Sequence, residues 1–145
     1  MTLYVLDTDH LSLFERRHPA VSKRILNTRR SSLDTLSTTV VSMEEQLKGR
    51  LAQISKAAAV TDELILSYER LKVTFRMFSS LNVLEYGIAA DIRFREFRKA
   101  GIRIGTQDLR IASIALSSNG VLVTRNRRDF EKVPGLSFQD WSIEP

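Results

Sequence analysis

Four acidic residues of this chain stand where a predicted strand ends or where the helix after it begins. They are Asp7, Glu45, Asp108 and Asp129. The carboxyl ends of parallel strands share one edge of a sheet, so we expect these side chains to converge although they lie far apart in sequence. Ionised carboxylates in one site raise one another's pKa unless a cation compensates their charge. Mg²⁺ or Mn²⁺ suits such a set of oxygen ligands.

A divalent cation held in this way has a defined chemistry. It lowers the pKa of a bound water and holds phosphoryl oxygens for in-line attack. Each acid also has a structural interpretation. Asp7 would be a helix-entry or turn acid, and Glu45 the partner of Ser42 in a capping box. Asp108 would be a favourable charge at a helix N-terminus, and Asp129 a loop acid or helix cap.

Two further residues follow Asp7 closely. Asp9 is open to three interpretations: a helix cap, a direct metal ligand, or a residue that orients the ligands. Asp9 or Ser12 is expected to cap the short helix after the first strand. His10 is expected on the surface of that helix rather than as a catalytic base.

Alternating strands and helices must position these acids. Strands are predicted at 3–7, 36–41, 81–84 and 121–124, with a last edge strand at 136–141. Helices are predicted after the first strand, from Pro19 to about Asn27, and over 43–58, 61–79, 86–100 and 106–117. Gly101 is expected to end one helix and Thr106 to cap the next. This order predicts an α/β fold, a three-layer α/β/α domain over 1–145 with a mostly parallel sheet of about five strands.

The composition of the chain excludes several classes of protein and of metal site. The chain has 145 residues, a formal net charge of +5, no cysteine and only His10 and His18 as histidines. Disulfide frameworks and thiolate metal sites are excluded, and a histidine-based zinc site is disfavoured. No apolar run approaches the ~20 residues of a membrane span, and the first strand begins where a signal peptide would lie. We therefore expect a cytoplasmic protein whose basic charge suits a polyanionic substrate.

Four segments together resemble the PIN-domain ribonucleases, in particular the VapC-like toxins of bacterial type II toxin–antitoxin pairs. They are 4–9 (YVLDTD), 39–49 (TVVSMEEQLKG), 104–112 (IGTQDLRIA) and 123–136 (VTRNRRDFEKVPGL). The resemblance runs from the first strand to the last and implies that Asp7, Glu45 and Asp108 hold the metal. Glu45 is preferred to Glu44 because the family's glutamate stands four residues before a glycine, here Gly49.

The fourth acidic position is open between two residues. Family members carry the acid either where Asn126 stands or where Asp129 stands. Asp129 is favoured as the ionised partner, with Asn126 as a neutral ligand or substrate contact. The family often has Asn in place of Asp9. Thr8 and Thr106 are expected to orient the carboxylates through their hydroxyls.

The resemblance also implies an activity and partners. The activity is that of a Mg²⁺- or Mn²⁺-dependent endoribonuclease toxin that leaves a 5′-phosphate and a 3′-hydroxyl. Arg125, Arg127 and Arg128 would hold phosphates of a single-stranded or looped RNA. The partners would be a small cognate antitoxin and a second copy of the chain. Two alternatives stay open: a haloacid-dehalogenase-type phosphatase with Asp7 as nucleophile, and a non-catalytic PIN-like binding module.

Overall fold

The computed structural model of the protein describes residues 1–57 and 59–143. Its strands are β1 (Leu3–Leu6), β2 (Thr35–Thr39), β3 (Asn82–Leu84), β4 (Val121–Val123) and β5 (Phe138–Gln139). Its helices are α1 (Thr8–Glu15), α2 (Pro19–Arg30), α3 (Val40–Ala57), α4 (Thr61–Ser79), α5 (Ile88–Lys99), α6 (Thr106–Ser117) and α7 (Arg127–Phe130). The strands form one sheet in the order β3-β2-β1-β4-β5, and every pairing is parallel.

Helices cover both faces of this sheet because its central strand is apolar on both sides. Val5 and Leu6 are fully buried neighbours on β1, and successive strand residues point to opposite faces. Val5 packs with Leu109, Ile111 and other residues of α6 in one cluster, whereas Leu6 packs in a second cluster with residues of α1, α2 and α4. The predicted α/β/α architecture is therefore confirmed, with a sheet of five strands.

The turn into β4 requires a glycine. A Cβ added to Gly120 would lie 2.7 Å from Cγ2 of Val5 and 3.3 Å from the carbonyl oxygen of Leu3. The preceding residue, Asn119, has a φ of 55°, in the left-handed region that asparagine tolerates. The predicted Asn-Gly turn thus brings β4 against β1, where its end lies beside that of β1.

Several predicted boundaries were wrong. β2 spans Thr35–Thr39 rather than 36–41, because α3 begins at Val40. β5 contains only Phe138–Gln139 of the expected 136–141, and the short helix α7 was not predicted. Position 58, the end of the predicted 43–58 helix, and positions 144–145 of the expected domain lie outside the described residues.

The expected helix caps were also wrong in three places. Asp7, not Asp9 or Ser12, is the N-cap of α1. The main-chain N–H of Ser42 donates to the Thr39 hydroxyl, so Ser42 is inside α3 rather than its cap. Thr106 is the first residue of α6, after Gly105 at the N-cap position. In each case the helix starts earlier than expected, and α1 and α3 start directly at the end of a strand.

No helix among the described residues has the length and apolarity needed to cross a membrane.

Candidate active site

Asp7 lies at the carboxyl edge of the sheet and is buried, with 5% of its surface exposed. Its Oδ1 accepts from the main-chain N–H of Thr8 at 2.8 Å. Its Oδ2 accepts from the hydroxyl of Thr124 at 2.7 Å. The two bonds fix both carboxylate oxygens of Asp7 from opposite sides, one from α1 and one from the end of β4.

The environment of Asp7 favours its protonated form. Burial, and then the charges of Asp9 and Asp108, raise the pKa of Asp7 from 3.8 to about 7, although the hydrogen bonds from Thr124 and Thr8 act in the opposite direction. When the Asp7 carboxyl group is ionised, its hydrogen bonds from Thr124 and Thr8 therefore compensate the negative charge only in part.

Glu45 is connected to the residue next to Asp7 by a hydrogen bond from Thr8. The Thr8 hydroxyl donates to Oε1 of Glu45 at 2.9 Å, which links the start of α1 to α3. Glu44 points elsewhere: it is exposed, and its Oε1 accepts from Nε2 of Gln107 at 2.8 Å. The structure thus places Glu45, and not its neighbour, beside the residues that follow β1.

Asp108 and Asp129 are joined by one amide. Nδ2 of Asn126 donates to Oδ2 of Asp108 at 3.3 Å and to Oδ2 of Asp129 at 3.1 Å. Burial, followed by the charges of Glu45, Asp129 and Asp9, raises the pKa of Asp108. Asn126 and Asp129, treated as alternatives in sequence, therefore both lie in the site.

Asp9 connects the first turn of α1 to the end of β4. Its Oδ2 accepts from the main-chain N–H of Arg125 at 3.0 Å, and its Oδ1 lies 2.7 Å from Nδ1 of His10. His10 is fully buried, so its expected surface position was wrong. The main-chain N–H of Trp141 donates to Nε2 of His10 at 3.1 Å, which leaves Nδ1 as the proton donor to Asp9.

Thr106 does not take the orienting position expected of it. Its hydroxyl accepts from Nη2 of Arg98 at 3.2 Å, and among the described residues it has no hydrogen bond to a site carboxylate. The same guanidinium donates through Nη1 to the carbonyl oxygens of Ile102 and Ile104, both at 3.0 Å. Arg98 thus holds the segment that leads into α6 by hydrogen bonds to three of its residues. Thr106 is one of the acceptors in this set and does not orient a carboxylate.

Thr124 is the site residue that sequence reasoning missed. Besides its bond to Asp7, its hydroxyl oxygen accepts from the main-chain N–H of Asn126 at 3.0 Å and lies 3.4 Å from Oδ2 of Asp9. A signal was present in the sequence, because Thr124 follows β4 directly, as Asp7 follows the adjacent parallel strand β1.

The three arginines after Thr124 lie at the entrance of the site. Arg125, Arg127 and Arg128 are exposed, on the turn into α7 and on α7 itself. They place positive charge in the segment that directly follows Thr124.

The acidic set suits a divalent cation in its chemistry. Its donors are carboxylate oxygens, which Mg²⁺ and Mn²⁺ prefer, and the raised pKa values of Asp7 and Asp108 mark negative charge that lacks a counter-ion. Within residues 1–57 and 59–143, no three acidic or histidine side chains stand close enough together to hold one ion as they are placed.

The all-parallel sheet with acids at its carboxyl edge defines the class as a PIN-like α/β domain. No family model matches the chain. The chain is 30% identical over 143 residues to ribonuclease VapC1 of Haemophilus influenzae strain R2866, covering 97% of this chain and 98% of that protein. It is 38% identical over 84 residues to the tRNA(fMet)-specific endonuclease VapC of Salmonella typhimurium, covering 54% of this chain and 64% of that protein.

A solved structure shows the same fold. DNA-bound VapBC from Salmonella typhimurium matches with a TM-score of 0.76 and 26% identity, covering 97% of this chain and 99% of that one. This chain belongs to the VapC family of PIN-domain proteins.

Proposed function

We propose that this chain is a toxin that cleaves RNA by metal-dependent hydrolysis. The observation that carries the proposal is the arrangement of Asp7, Glu45, Asp108 and Asp129 at one edge of the sheet, in a chain related over its full length to a protein named as a ribonuclease. An RNA substrate also suits the net charge of +5 and implies a cytoplasmic location.

The four acids are the proposed ligands of Mg²⁺ or Mn²⁺. A bound cation supplies a water of lowered pKa and positive charge for the phosphate oxygens. Thr124 and Thr8 keep the Asp7 carboxylate in one orientation. The Asn126 amide holds Asp108 and Asp129 side by side without adding charge.

The products depend on which ester oxygen leaves. In the proposed reaction water attacks the phosphorus opposite the 3′ oxygen, the bond to that oxygen breaks, and the phosphate stays on the 5′ oxygen of the downstream fragment. The 2′-hydroxyl takes no part, and the upstream fragment ends in a 3′-hydroxyl. Arg125, Arg127 and Arg128 would hold flanking phosphates during this reaction.

We also propose two protein partners. Relatives of this fold are solved as VapBC, a pair of the toxin–antitoxin type, which supports a cognate antitoxin for this chain. Apolar side chains on the exposed surface of α4 support contact with a partner or a second copy. They include Ile65, Tyr68, Val73 and Phe75, each more than half exposed.

A cleavage assay tests the enzymatic proposal. Purified chain, free of partner, is incubated with bulk tRNA and Mg²⁺ or Mn²⁺, with and without EDTA, beside Asp7→Asn. We expect metal-dependent cleavage with 5′-phosphate ends in the wild type and none in the variant, whose fold is checked by circular dichroism. Cleavage by a folded Asp7→Asn protein, or in EDTA, would contradict the proposed site.

A further inference from the structure

A cavity of about 520 Å³ lies beside the acidic site, next to the edge strand β5. Its wall includes Arg24 of α2, Arg125 and Arg127, the ring of Phe138, and Thr124. The acidic ligand set proposed above includes none of these residues. Arg24 and Phe138 come from parts of the chain with no part in that set, and the fold brings them to its border.

The cavity carries surplus positive charge. Among the described residues, no carboxylate oxygen lies within 4.0 Å of the guanidinium of Arg24 or Arg125. Arg127 has Glu131 at 3.6 Å, in a pair whose two side chains are mostly exposed. Such an exposed pair holds its arginine only weakly.

One acid, Asp140, also lines the cavity, and one of its carboxylate oxygens accepts hydrogen bonds from within the chain. Its Oδ1 accepts from the main-chain N–H of Ser142 at 2.8 Å and from the Ser142 hydroxyl at 2.6 Å. The same oxygen lies 3.6 Å from Nε2 of His10. An anion in the cavity would therefore meet three guanidinium groups and one carboxylate, a lining with an excess of positive charge.

Planar side chains also line the cavity. The guanidinium carbon of Arg127 lies 6.0 Å from the centre of the half-buried Phe138 ring. The guanidinium of Arg24 rests over the buried ring of Trp141, with its central carbon 5.0 Å from the ring centre. Aromatic rings and guanidinium planes are the surfaces on which unpaired nucleobases stack.

Thr124 joins the cavity to the acidic site. It lines the cavity and donates its hydroxyl to Asp7, while the main chain of the next residue, Arg125, donates to Asp9. A ligand in the cavity is thus separated from the carboxylates only by the end of β4 and the turn after it. That position suits a nucleotide next to the bond that is cut.

We propose that this cavity is a nucleotide subsite for single-stranded RNA, in which a base stacks against Phe138 and Arg127 and the adjoining phosphate binds Arg24 and Arg125. The subsite rests on the proposed ribonuclease function and identifies residues that would bind one nucleotide flanking the cut. Guanidinium groups without a carboxylate partner, combined with planar side chains, favour RNA as the ligand. A protein segment would not need such unpaired guanidinium groups.

Equilibrium binding in EDTA tests the subsite without cleavage. Wild type, Arg24→Gln, Phe138→Leu and Phe138→Tyr are titrated against a short fluorescein-labelled oligoadenylate and its abasic counterpart, with anisotropy as the readout. Arg30→Gln is the matched control, because Arg30 is exposed at the end of the same helix and outside the cavity. Thermal melts establish that each variant is folded.

The two contacts predict different signatures. Phe138→Leu should weaken oligoadenylate binding about fivefold or more, the lower limit for one stacked base, with no effect on abasic RNA. Arg24→Gln should weaken binding to both and reduce the slope of log affinity against log salt by about 0.7, the contribution of one phosphate on a single strand. Phe138→Tyr and Arg30→Gln should bind like the wild type.

Wild-type affinity in both Arg24→Gln and folded Phe138→Leu would overturn the subsite. If Phe138→Leu does not fold, Arg24→Gln alone decides: an unchanged salt slope rejects the proposal. The ribonuclease proposal is tested separately. If it is wrong, the wild type will show no cleavage in the assay described above, whatever these titrations give.

Discussion

The hydroxyl of Thr124 lies 2.7 Å from Oδ2 of Asp7, and the two residues are 117 positions apart in the chain. Both are buried, each directly after one of two adjacent parallel strands. This hydrogen bond opposes the burial and the neighbouring charges that raise the pKa of Asp7. The proposed metal ligand that follows β1 is therefore held by a residue that follows β4, which also lowers its pKa.

Thr124→Val should make Asp7 harder to ionise. The substitution removes a hydrogen bond that lowers the pKa of Asp7 and keeps the shape of the side chain, so the pKa of Asp7 should rise further. RNA cleavage should fall at neutral pH and recover at higher pH, as a pH–rate profile would record. Thr38→Val is the matched control, because the buried hydroxyl of Thr38 donates to the carbonyl oxygen of Leu6 rather than to a carboxylate. An unshifted profile for Thr124→Val would contradict the role of its hydroxyl.

Asp7→Asn should stabilise the metal-free protein above neutral pH. The folded-state pKa of Asp7, about 7, lies above the ordinary value of 3.8. The folded protein therefore holds a proton that the unfolded chain releases, and wild-type stability falls by about 1.4 kcal/mol per pH unit between these values before levelling off. In thermal melts in EDTA, the melting temperature of the variant minus that of the wild type should increase from pH 4 to pH 8. Parallel curves for Asp7→Asn and wild type would refute the raised pKa.

Glu45→Gln and Glu44→Gln form a pair of adjacent substitutions with opposite expectations. Glu45 accepts from Thr8 at the site, whereas Glu44 is exposed and accepts from Gln107. Glu45→Gln should abolish RNA cleavage and the rise in melting temperature on adding Mn²⁺, because a ligand charge is lost. Glu44→Gln should retain both. Equal effects of the two substitutions would reject Glu45 as a specific ligand.

Asn126→Ala should reduce cleavage about tenfold, the lower end of the cost of removing a group that orients a metal ligand. It removes the amide that bonds Asp108 and Asp129, so the pKa of Asp108 should rise further. The loss should therefore be greater at the lower of two pH values than at the higher, because protonation of Asp108 then begins at a higher pH. Asn27→Ala, at an exposed position on α2, is the control. Full activity of Asn126→Ala at both pH values would show that the amide is dispensable.

Arg50→Met should destabilise the fold without a direct effect on the site. Arg50 pairs with Glu15, and both side chains are largely buried between α1, α3 and α4, where Thr74 also donates to Glu15. Removing the cation leaves a buried carboxylate without its partner, at a cost of about 3 kcal/mol in the free energy of unfolding. Arg95→Met breaks an exposed pair with Asp91 and should cost less than about 0.5 kcal/mol. Urea denaturation compares them, and equal losses would contradict this account.

Much of the fold could be predicted because its signals are local. The apolar run over Leu3–Leu6 and the Asn119-Gly120 turn are properties of neighbouring residues, and the alternation of strands and helices restricts the topology. The acids could be placed at one edge for the same reason. Element ends were less predictable, because α3 begins at Val40, where β-branched residues favoured a longer strand.

The sequence alone determined which acids were available and that Asp7, Glu45, Asp108 and Asp129 would share the carboxyl edge of a parallel sheet. The tertiary structure decided their partners: Thr124 for Asp7, Asn126 for Asp108 and Asp129, and the buried His10 for Asp9. Strand order follows from local pattern and chain topology. Hydrogen bonds between distant residues, and the burial that shifts a pKa, exist only once packing has brought those residues together and excluded water from them.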